Sequence, residues 1–296
     1  MDKLDLGWIG TGVMGRSMCF HLINAGHKVF IYNRTMEKAE DLVNEGAVWC
    51  ETPAEVAKNS GIVFSIVGFP SDVEEVILGS QGVLSGTEAD SIIVDMTTSE
   101  PKLAAKISNA AKEKNVRTLD APVSGGDQGA RDGTLAIMVG GDRAAYDRVL
   151  PLFKIMGENI AYLGEAGAGQ HTKMSNQILI ASTMIGVVES LLYAYYAGLN
   201  LNEVIDVIGK GAASSWSINN LGRRIVKGDF NPGFFIKHFI KDMGIALDEA
   251  KRMNLSLPGL AMAHQFYISA TAMGYENLGT QGLYKVFQNM NTDALS

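Results

Sequence analysis

The spacing of apolar residues changes once along the chain, and this change divides it into two parts. Up to about residue 164, short runs of β-branched residues alternate with segments of helical period, a pattern typical of a parallel sheet covered by helices. The predicted strands are Leu6–Ile9, Val29–Tyr32, Ile62–Val67, Ile92–Asp95, Arg117–Ala121, Leu135–Val139 and Ile160–Leu163. The predicted helices between them are Met14–Ala25, Met36–Asn44, Pro53–Lys58, Asp72–Leu78, Pro101–Lys114 and Ala144–Met156.

Beyond Gly169 the strand pattern stops and only helical periodicity remains. We expect a first long helix over Gln170–Leu199, which would extend ~45 Å at 1.5 Å per residue. The helices predicted after it run from the capping residue Asn200 to Gly211, and over Trp216–Lys227, Phe234–Asn254, Pro258–Met273 and Gln281–Asn289. The sequence therefore predicts an α/β domain over residues 1–164 and an all-helical domain over residues 165–296.

The composition disfavours several classes of partner. The 25 basic and 32 acidic residues leave a net charge of −7, which argues against nucleic-acid or anionic-membrane binding. Cys19 and Cys50 are too few for a disulfide framework, so we expect a cytoplasmic protein. The histidines lack metal-ligand spacing, and the longest apolar run, 178–188, is shorter than the ~20 residues that a bilayer requires. We expect neither a metal site nor a membrane span.

A glycine-rich turn joins the first predicted strand to the first predicted helix. It consists of Gly10, Thr11, Gly12, Val13, Met14 and Gly15. In this context the first glycine permits a tight turn, the second lets a pyrophosphate approach the backbone, and the third lets the helix pack on the strand. The turn predicts an N-terminal Rossmann-type dinucleotide-binding domain. Val67 and Thr98, at or near the ends of two further strands, are expected to face the cofactor as well, and Thr97 beside Thr98 could also reach the nicotinamide.

The residues after the second predicted strand bear on the choice of nicotinamide cofactor. NAD enzymes usually carry an acid here for the ribose hydroxyls, whereas this chain has Asn33, Arg34 and Thr35. Arg34 could pair with a 2′-phosphate and stack on adenine, and its neighbours could donate hydrogen bonds. We expect no carboxylate to repel the added charge. We expect NADP. NAD is the alternative, in which case Arg34 is an ordinary solvated loop residue.

Two further segments predict a site for a small carboxylate substrate. Ser124, Gly125 and Gly126 follow a predicted strand at the carboxyl edge of the sheet, where their amides and the serine hydroxyl would form an anion nest. Lys173 begins the long apolar helix, where burial of an ammonium costs free energy unless a partner compensates it. The alternative for Lys173 is a side chain that reaches out to solvent, and the alternative for Ser124, Gly125 and Gly126 is an ordinary turn.

Four segments, in matching order over nearly the whole chain, resemble the β-hydroxyacid dehydrogenase family, which includes 3-hydroxyisobutyrate dehydrogenase and tartronate semialdehyde reductase. They are Gly10–Gly15, Asp120–Gly126, Gly167–Asn176 and Lys237–Asp242. The resemblance implies hydride transfer between NADP(H) or NAD(H) and a small β-hydroxy acid or its semialdehyde. It also implies a homodimer or homotetramer formed through the helical domain.

By the same resemblance, Lys173 is the catalytic proton donor and acceptor, the Ser-Gly-Gly segment holds the substrate carboxylate, and Lys241 lies near the cofactor. The chain departs from the family one turn later, since many members carry asparagine four residues after the lysine. Here Asn176 comes at three and Gln177 at four, and both share a helix face with Lys173. Either amide could therefore orient the substrate hydroxyl. We favour Asn176 because its shorter side chain loses less entropy.

Three other functions fit parts of the sequence. A noncatalytic dinucleotide-binding module would need the glycine turn but would have no use for Lys173. Imine reductases resemble this chain in architecture but usually replace the lysine. A 6-phosphogluconate dehydrogenase would be longer and would carry histidine where Asn176 stands. We therefore place the chain among enzymes that act on a hydroxyl-bearing carbon.

Overall fold

The computed structural model describes residues 3–291, whose contacts divide the chain into two compact units. The first unit ends at Lys173 and the second begins at Met174. This division counts the first turns of the long helix with the first unit, whereas the predicted boundary precedes that helix.

Within residues 3–291, nine strands form one sheet, which belongs to the first unit. They are β1 (Asp5–Ile9), β2 (Lys28–Tyr32), β3 (Val48–Trp49), β4 (Ile62–Ser65), β5 (Ile92–Asp95), β6 (Arg117–Asp120), β7 (Val123–Ser124), β8 (Leu135–Gly141) and β9 (Gly157–Gly164). The order is β3-β2-β1-β4-β5-β6-β8-β7, and β9 also pairs with β8. The carboxyl ends of β1, β2, β4, β5 and β6 share one edge, because these strands are parallel.

The sheet is parallel, as predicted, except at one end. Strand β8 runs antiparallel to β6 and to β7, while β9 runs parallel to β8. Only residues 125–134 connect β7 to β8, and a parallel crossover needs a dozen residues or more. Strand β8 therefore pairs antiparallel with β7, the strand that precedes it in the chain.

Helices cover both faces of the sheet. They are α1 (Val13–Asn24), α2 (Glu40–Asn44), α3 (Pro53–Lys58), α4 (Pro70–Leu78), α5 (Val83–Gly86), α6 (Pro101–Lys112), α7 (Gly126–Asp132) and α8 (Arg143–Met156), with a 3₁₀ turn at Met36–Lys38. On one face, Trp8 stacks on Phe64 with ring centroids 5.7 Å apart. The other face packs against α3, α4 and α6 through Val56, Val73 and Leu103. Burial of apolar surface on both faces stabilises the layered unit.

The second unit consists of helices. They are the continuation of α9 (Ala168–Tyr196), then α10 (Leu201–Ile208), α11 (Arg223–Val226), α12 (Ile236–Arg252), α13 (Pro258–Ala272) and α14 (Leu283–Asn291), with a π-helical segment at Ser217–Gly222 and a 3₁₀ turn at Thr280–Gly282. Its core joins α9, α12 and α13, where Phe239 meets Tyr267 edge to face at 5.0 Å. Met184 and Val188 of α9 are fully buried in this core. The Asn200 side chain caps α10, as predicted.

Helix α9 is longer and more apolar than the run 178–188 indicated. Among the described residues it is the one helix with the length and composition of a membrane-spanning segment. Core helices satisfy the same criterion, and α9 contributes Ala181, Met184, Val188 and Leu191 to the core of the second unit. Less than half of its apolar stretch is buried within the chain, however.

Both cysteines lie inside the first unit as free thiols. Burial raises the pKa of Cys50 to about 11, and the carboxylates of Glu55 and Glu51 add to the rise. Burial alone raises the pKa of Cys19 further. Neither sulfur is therefore a nucleophile near neutral pH.

The turn between β1 and α1 requires glycine for two different reasons. Gly10 has a φ of +96°, a conformation that L side chains rarely adopt. A Cβ on Gly15 would lie 2.2 Å from the Gly10 carbonyl oxygen, far inside the van der Waals contact distance, so α1 can approach β1 this closely only without one. Gly12 differs, because its φ is −70° and a Cβ there would meet no atom within 4 Å.

We expect Gly15→Ala to destabilise the first unit by ~1–3 kcal/mol, as overpacking does, because the helix must move away from the strand. Gly12→Ala is the matched control and should change stability by about 1 kcal/mol or less, the cost of alanine at a helix N-cap. Urea denaturation of the two variants beside the parent chain measures the difference. Equal midpoints for the two variants would contradict the packing argument.

Candidate functional site

Two hydrogen bonds hold the glycine turn in place, while no side chain caps the helix α1 that follows it. Trp8 Nε1 donates to the Gly10 carbonyl oxygen at 2.8 Å, and the Thr11 backbone N–H donates to Asn33 Oδ1 at 3.0 Å. Gly12 caps α1 without a side-chain hydrogen bond, and its surroundings are open. The first N–H groups of α1 are thus available to an anion. These residues fit the pyrophosphate of a dinucleotide.

Both polar groups of the Asn33 side chain are used in hydrogen bonds within the protein. Asn33 Nδ2 donates to the Thr35 carbonyl oxygen at 2.7 Å, while Asn33 Oδ1 holds Thr11. The Arg34 side chain is 86% exposed, and its Nη1 lies 3.5 Å from Asp72 Oδ1. The expectation that no carboxylate stands near Arg34 is therefore wrong, because Asp72 is distant in sequence but adjacent in the fold. Asp72 comes from α4, where its other oxygen accepts from the Phe69 N–H.

Buried polar contacts connect the ends of β4 and β5. Asp95 Oδ1 accepts from Ser65 Oγ at 3.0 Å and from the Thr97 N–H at 3.2 Å. Thr97 Oγ1 in turn accepts from the Val67 N–H at 2.9 Å. Burial raises the pKa of Asp95 to about 6, although these hydrogen bonds act in the opposite direction. Thr97 is thus a structural link, whereas its predicted neighbour Thr98 is only half-buried.

Asp120, the last residue of β6, binds the start of α9. Its two carboxylate oxygens accept from the N–H groups of Gly167 at 2.8 Å and Gln170 at 2.9 Å. The Gln170 side chain then bridges back to β5, donating to the Thr97 carbonyl oxygen at 2.7 Å and accepting from the Ser99 N–H at 2.9 Å. Burial raises the pKa of Asp120 to about 6 against these hydrogen bonds. The first turn of α9 is therefore fixed to two strand ends.

Lys173 lies one turn further along α9 and points into the first unit. Its side chain is only 7% exposed, and Nζ donates to the Val123 carbonyl oxygen at 2.9 Å. The alternative of a side chain extended to solvent is therefore wrong. Ser124 follows Val123 directly in β7, and Gly125 and Gly126, both with positive φ, lead into α7. The structure brings the predicted lysine beside the predicted carboxylate nest.

The remaining predicted residues form one group in the second unit. Asn176 Nδ2 donates to Gln177 Oε1 at 2.8 Å, and Gln177 Nε2 donates to Asp242 Oδ2 at 2.7 Å. Lys241 Nζ lies 3.1 Å from Asp242 Oδ1, an ion pair off the direction of a hydrogen bond. Lys241 and Asp242 taken alone would pass for a solvated pair of helix residues, yet the carboxylate is fully buried and the lysine nearly so.

Four of these polar residues were not predicted as site residues: Asp95, Asp120, Gln170 and Asp242. Asp95 and Asp120 end two neighbouring predicted strands, and a charged residue at the end of a buried run was a usable signal. Asp242 also follows Lys241 within a segment of the family resemblance. Gln170 lies within another such segment, Gly167–Asn176, but nothing near it in the sequence indicated its two partners, which lie 71 and 73 residues away along the chain.

Within residues 3–291, no group of three or more His, Cys, Asp or Glu side chains could hold a metal ion. The polar side chains named above make hydrogen bonds and ion pairs. Their chemistry is that of binding an anion, holding a lysine and orienting amides.

Comparison with known proteins assigns both units. Residues 5–164 match the family model for the NAD binding domain of 6-phosphogluconate dehydrogenase. Residues 167–287 match the model described as NAD-binding of NADP-dependent 3-hydroxyisobutyrate dehydrogenase. Together the two matches span nearly all the described residues.

Individual relatives extend over the same length. The probable 3-hydroxyisobutyrate dehydrogenase-like 1, mitochondrial, of Arabidopsis thaliana is 52% identical, over 98% of this chain and 87% of its own. The 2-hydroxy-3-oxopropionate reductase of Escherichia coli K12 is 38% identical, over 99% of this chain and 100% of its own. A crystal structure of 3-hydroxyisobutyrate dehydrogenase from Salmonella typhimurium has a TM-score of 0.87 at 27% identity, covering 96% of this chain and 100% of its own.

These matches confirm the predicted fold class, an N-terminal NAD-binding domain followed by a helical domain, and they imply a nicotinamide dinucleotide as cofactor. Relatives of this identity and coverage, named for the oxidation or reduction of small hydroxy acids, also assign the general activity. The chain belongs to the β-hydroxyacid dehydrogenase family and is an NAD(P)-dependent oxidoreductase acting on CH–OH groups.

Proposed function

We propose that this enzyme transfers hydride between NADP(H) and a small β-hydroxy acid or its semialdehyde, with Lys173 as the proton donor and acceptor. The observation that carries the proposal is the buried Lys173 ammonium, held at the Val123 carbonyl oxygen beside Ser124. Burial of a lysine ammonium costs free energy, which favours a functional role for this side chain. A substrate carboxylate bound at Ser124 would bring its hydroxyl-bearing carbon near that amine.

The nicotinamide, when bound, supplies or accepts the hydride. Ser124 Oγ and the amides of Gly125 and Gly126 would bind the substrate carboxylate and so orient the reacting carbon. In reduction, the Lys173 ammonium would stabilise the developing alkoxide and donate its proton to that oxygen. In oxidation, the amine would accept the hydroxyl proton. The Val123 carbonyl oxygen would hold Nζ in place through both directions.

Lys173→Ala should lower kcat by ~10²–10⁴-fold, the usual contribution of general acid–base catalysis, and should leave NADPH binding unchanged. The assay uses a panel of glyoxylate and succinic, methylmalonic and tartronic semialdehydes, each with NADPH and NADH. Fluorescence of bound NADPH measures cofactor affinity. Lys154→Ala, which removes an exposed lysine of α8, is the matched control. Turnover by Lys173→Ala at the parent rate would refute the catalytic role.

The preference for NADP rests on Arg34, with Asn33 and Thr35 beside it. Arg34 is an exposed cation two residues after the end of β2, and its ion pair with Asp72 at 3.5 Å is long enough to be exchanged for a phosphate. The name of the model that matches residues 167–287 also includes NADP dependence. NAD would be preferred if Arg34 stayed paired with Asp72.

Arg34→Ala should lower the ratio of kcat/KM for NADPH to that for NADH by ~10–100-fold, since a charge-assisted hydrogen bond contributes about 1.5–3 kcal/mol. Arg148→Ala is the control. It removes an exposed guanidinium that donates to the carbonyl oxygen of Asp90, which precedes β5 at the opposite edge of the sheet, and it should leave the ratio unchanged. If kcat/KM of the parent enzyme for NADH equals or exceeds that for NADPH, the preference for NADP is wrong.

We also propose that the enzyme forms a homodimer or homotetramer through the second unit. The support is the outward face of α9, where Leu179 is 70% and Tyr193 is 78% exposed in a helix whose apolar stretch is less than half buried.

Sedimentation should give two or four times the chain mass of 31.8 kDa, and Leu179→Glu with Tyr193→Glu should shift the protein toward monomers. A monomer of the unaltered chain at micromolar concentration would contradict this.

A further inference from the structure

Asp72 of α4 is held in place by the backbone around it, whereas its ion-pair partner Arg34 extends into solvent. The Asp72 Oδ2 atom accepts from the Phe69 N–H at 3.0 Å and so takes part in the capping of α4. A Cβ on Gly68 would lie only 3.0 Å from the same oxygen, so the carboxylate packs closely against the backbone before the helix. The Asp72 side chain is 29% exposed and that of Arg34 is 86% exposed. The carboxylate is therefore anchored, while the guanidinium can change partner.

This anchored carboxylate opposes the binding of a phosphate to Arg34. In the present arrangement Arg34 Nη1 lies 3.5 Å from Asp72 Oδ1, so a phosphate on the same guanidinium would come close to a group of like charge. If Arg34 turns away to meet the phosphate, the ion pair with Asp72 is lost. Both arrangements weaken the binding of NADP(H). Neither affects NAD(H) in this way, because NAD(H) has no 2′-phosphate.

The segment after β2 and the first turn of α4 thus bring together two groups with opposite preferences, both within the first unit. Arg34 favours a 2′-phosphate. A carboxylate near the end of β2 is the group with which NAD enzymes bind the ribose hydroxyls, and here Asp72 brings such a group from α4.

We infer that Asp72 is a specificity-determining residue, which reduces the preference for NADP(H) over NAD(H) that Arg34 creates. The inference rests on the proposed contact between Arg34 and the 2′-phosphate, and it adds a second residue to the choice of cofactor. By this inference the enzyme keeps part of its affinity for NAD(H), because the arginine that recognises NADP(H) already has an anionic partner.

Asp72→Asn tests the inference, because it removes the charge and keeps the shape of the side chain. The amide oxygen of the new side chain can still accept from the Phe69 N–H, so the cap of α4 is preserved. Fluorescence of bound NADPH and of bound NADH, without substrate, measures the two affinities. We expect the ratio of the affinity for NADPH to that for NADH to rise by about two- to fivefold, the size of an exposed ion pair.

The same substitution in an Arg34→Ala background shows whether Asp72 acts through the arginine. There Asp72→Asn should change the ratio by less than about 1.5-fold, because no guanidinium then holds the phosphate beside position 72. Glu74→Gln is the matched control. Glu74 is an exposed carboxylate of the same helix that pairs with Lys106 of α6, and its replacement should keep the parent ratio.

Melting temperatures are measured for every variant, so that a loss of affinity through unfolding is recognised. If Asp72→Asn fails to fold, Asp72→Ser, which also removes the charge, takes its place with the same expected rise in the ratio.

Two results would overturn the inference alone. The first is a folded Asp72→Asn enzyme whose ratio equals that of the parent enzyme or falls below it, and the second is the same rise in the ratio with and without Arg34. If Arg34→Ala itself leaves the parent ratio unchanged, the proposed contact with the 2′-phosphate is wrong, and the inference fails with it.

Discussion

The position of Lys173 depends on the hydrogen bonds between the Asp120 carboxylate, at the end of β6, and the first turn of α9. Its two hydrogen bonds fix the N–H groups of Gly167 and Gln170, and a negative charge there also suits the helix dipole. The same stretch of chain continues to Val123, which accepts from Lys173 Nζ. Residues 120–123 thus bind both the first turn of α9 and the Lys173 side chain that this helix carries. The position of the amine is therefore set by four consecutive residues.

Much of the fold could be read from periodicity, because long elements repeat their pattern often enough to be recognised. Strand β5 and helix α3 lie at their predicted residues, and α9 differs by only a few at each end. Strands β3 and β7 were missed since two residues are too few to show a period. The antiparallel direction of β8 was missed because strand direction is set by the length of the connection, which the pattern within the strand does not record.

The site divides in the same way between local and distant contacts. The glycine turn, the Ser-Gly-Gly segment and Lys173 were recognisable because their chemistry resides in neighbouring residues of the sequence. The partners of Gln177 and Gln170 were not, since Asp242 lies 65 residues from the first and Thr97 lies 73 residues from the second. Nor did the sequence indicate that Asp72 lies beside Arg34, because that contact joins the residues after β2 to the first turn of α4.

The burial of both cysteines has a practical consequence for the study of this enzyme. Because the pKa of each thiol is raised and each sulfur lies in the interior of the first unit, alkylating reagents and mild oxidants should leave the native chain unmodified. A cysteine introduced at an exposed position would then be the one reactive thiol among the described residues. Fluorophores or spin labels could be attached to either unit without first removing the native cysteines.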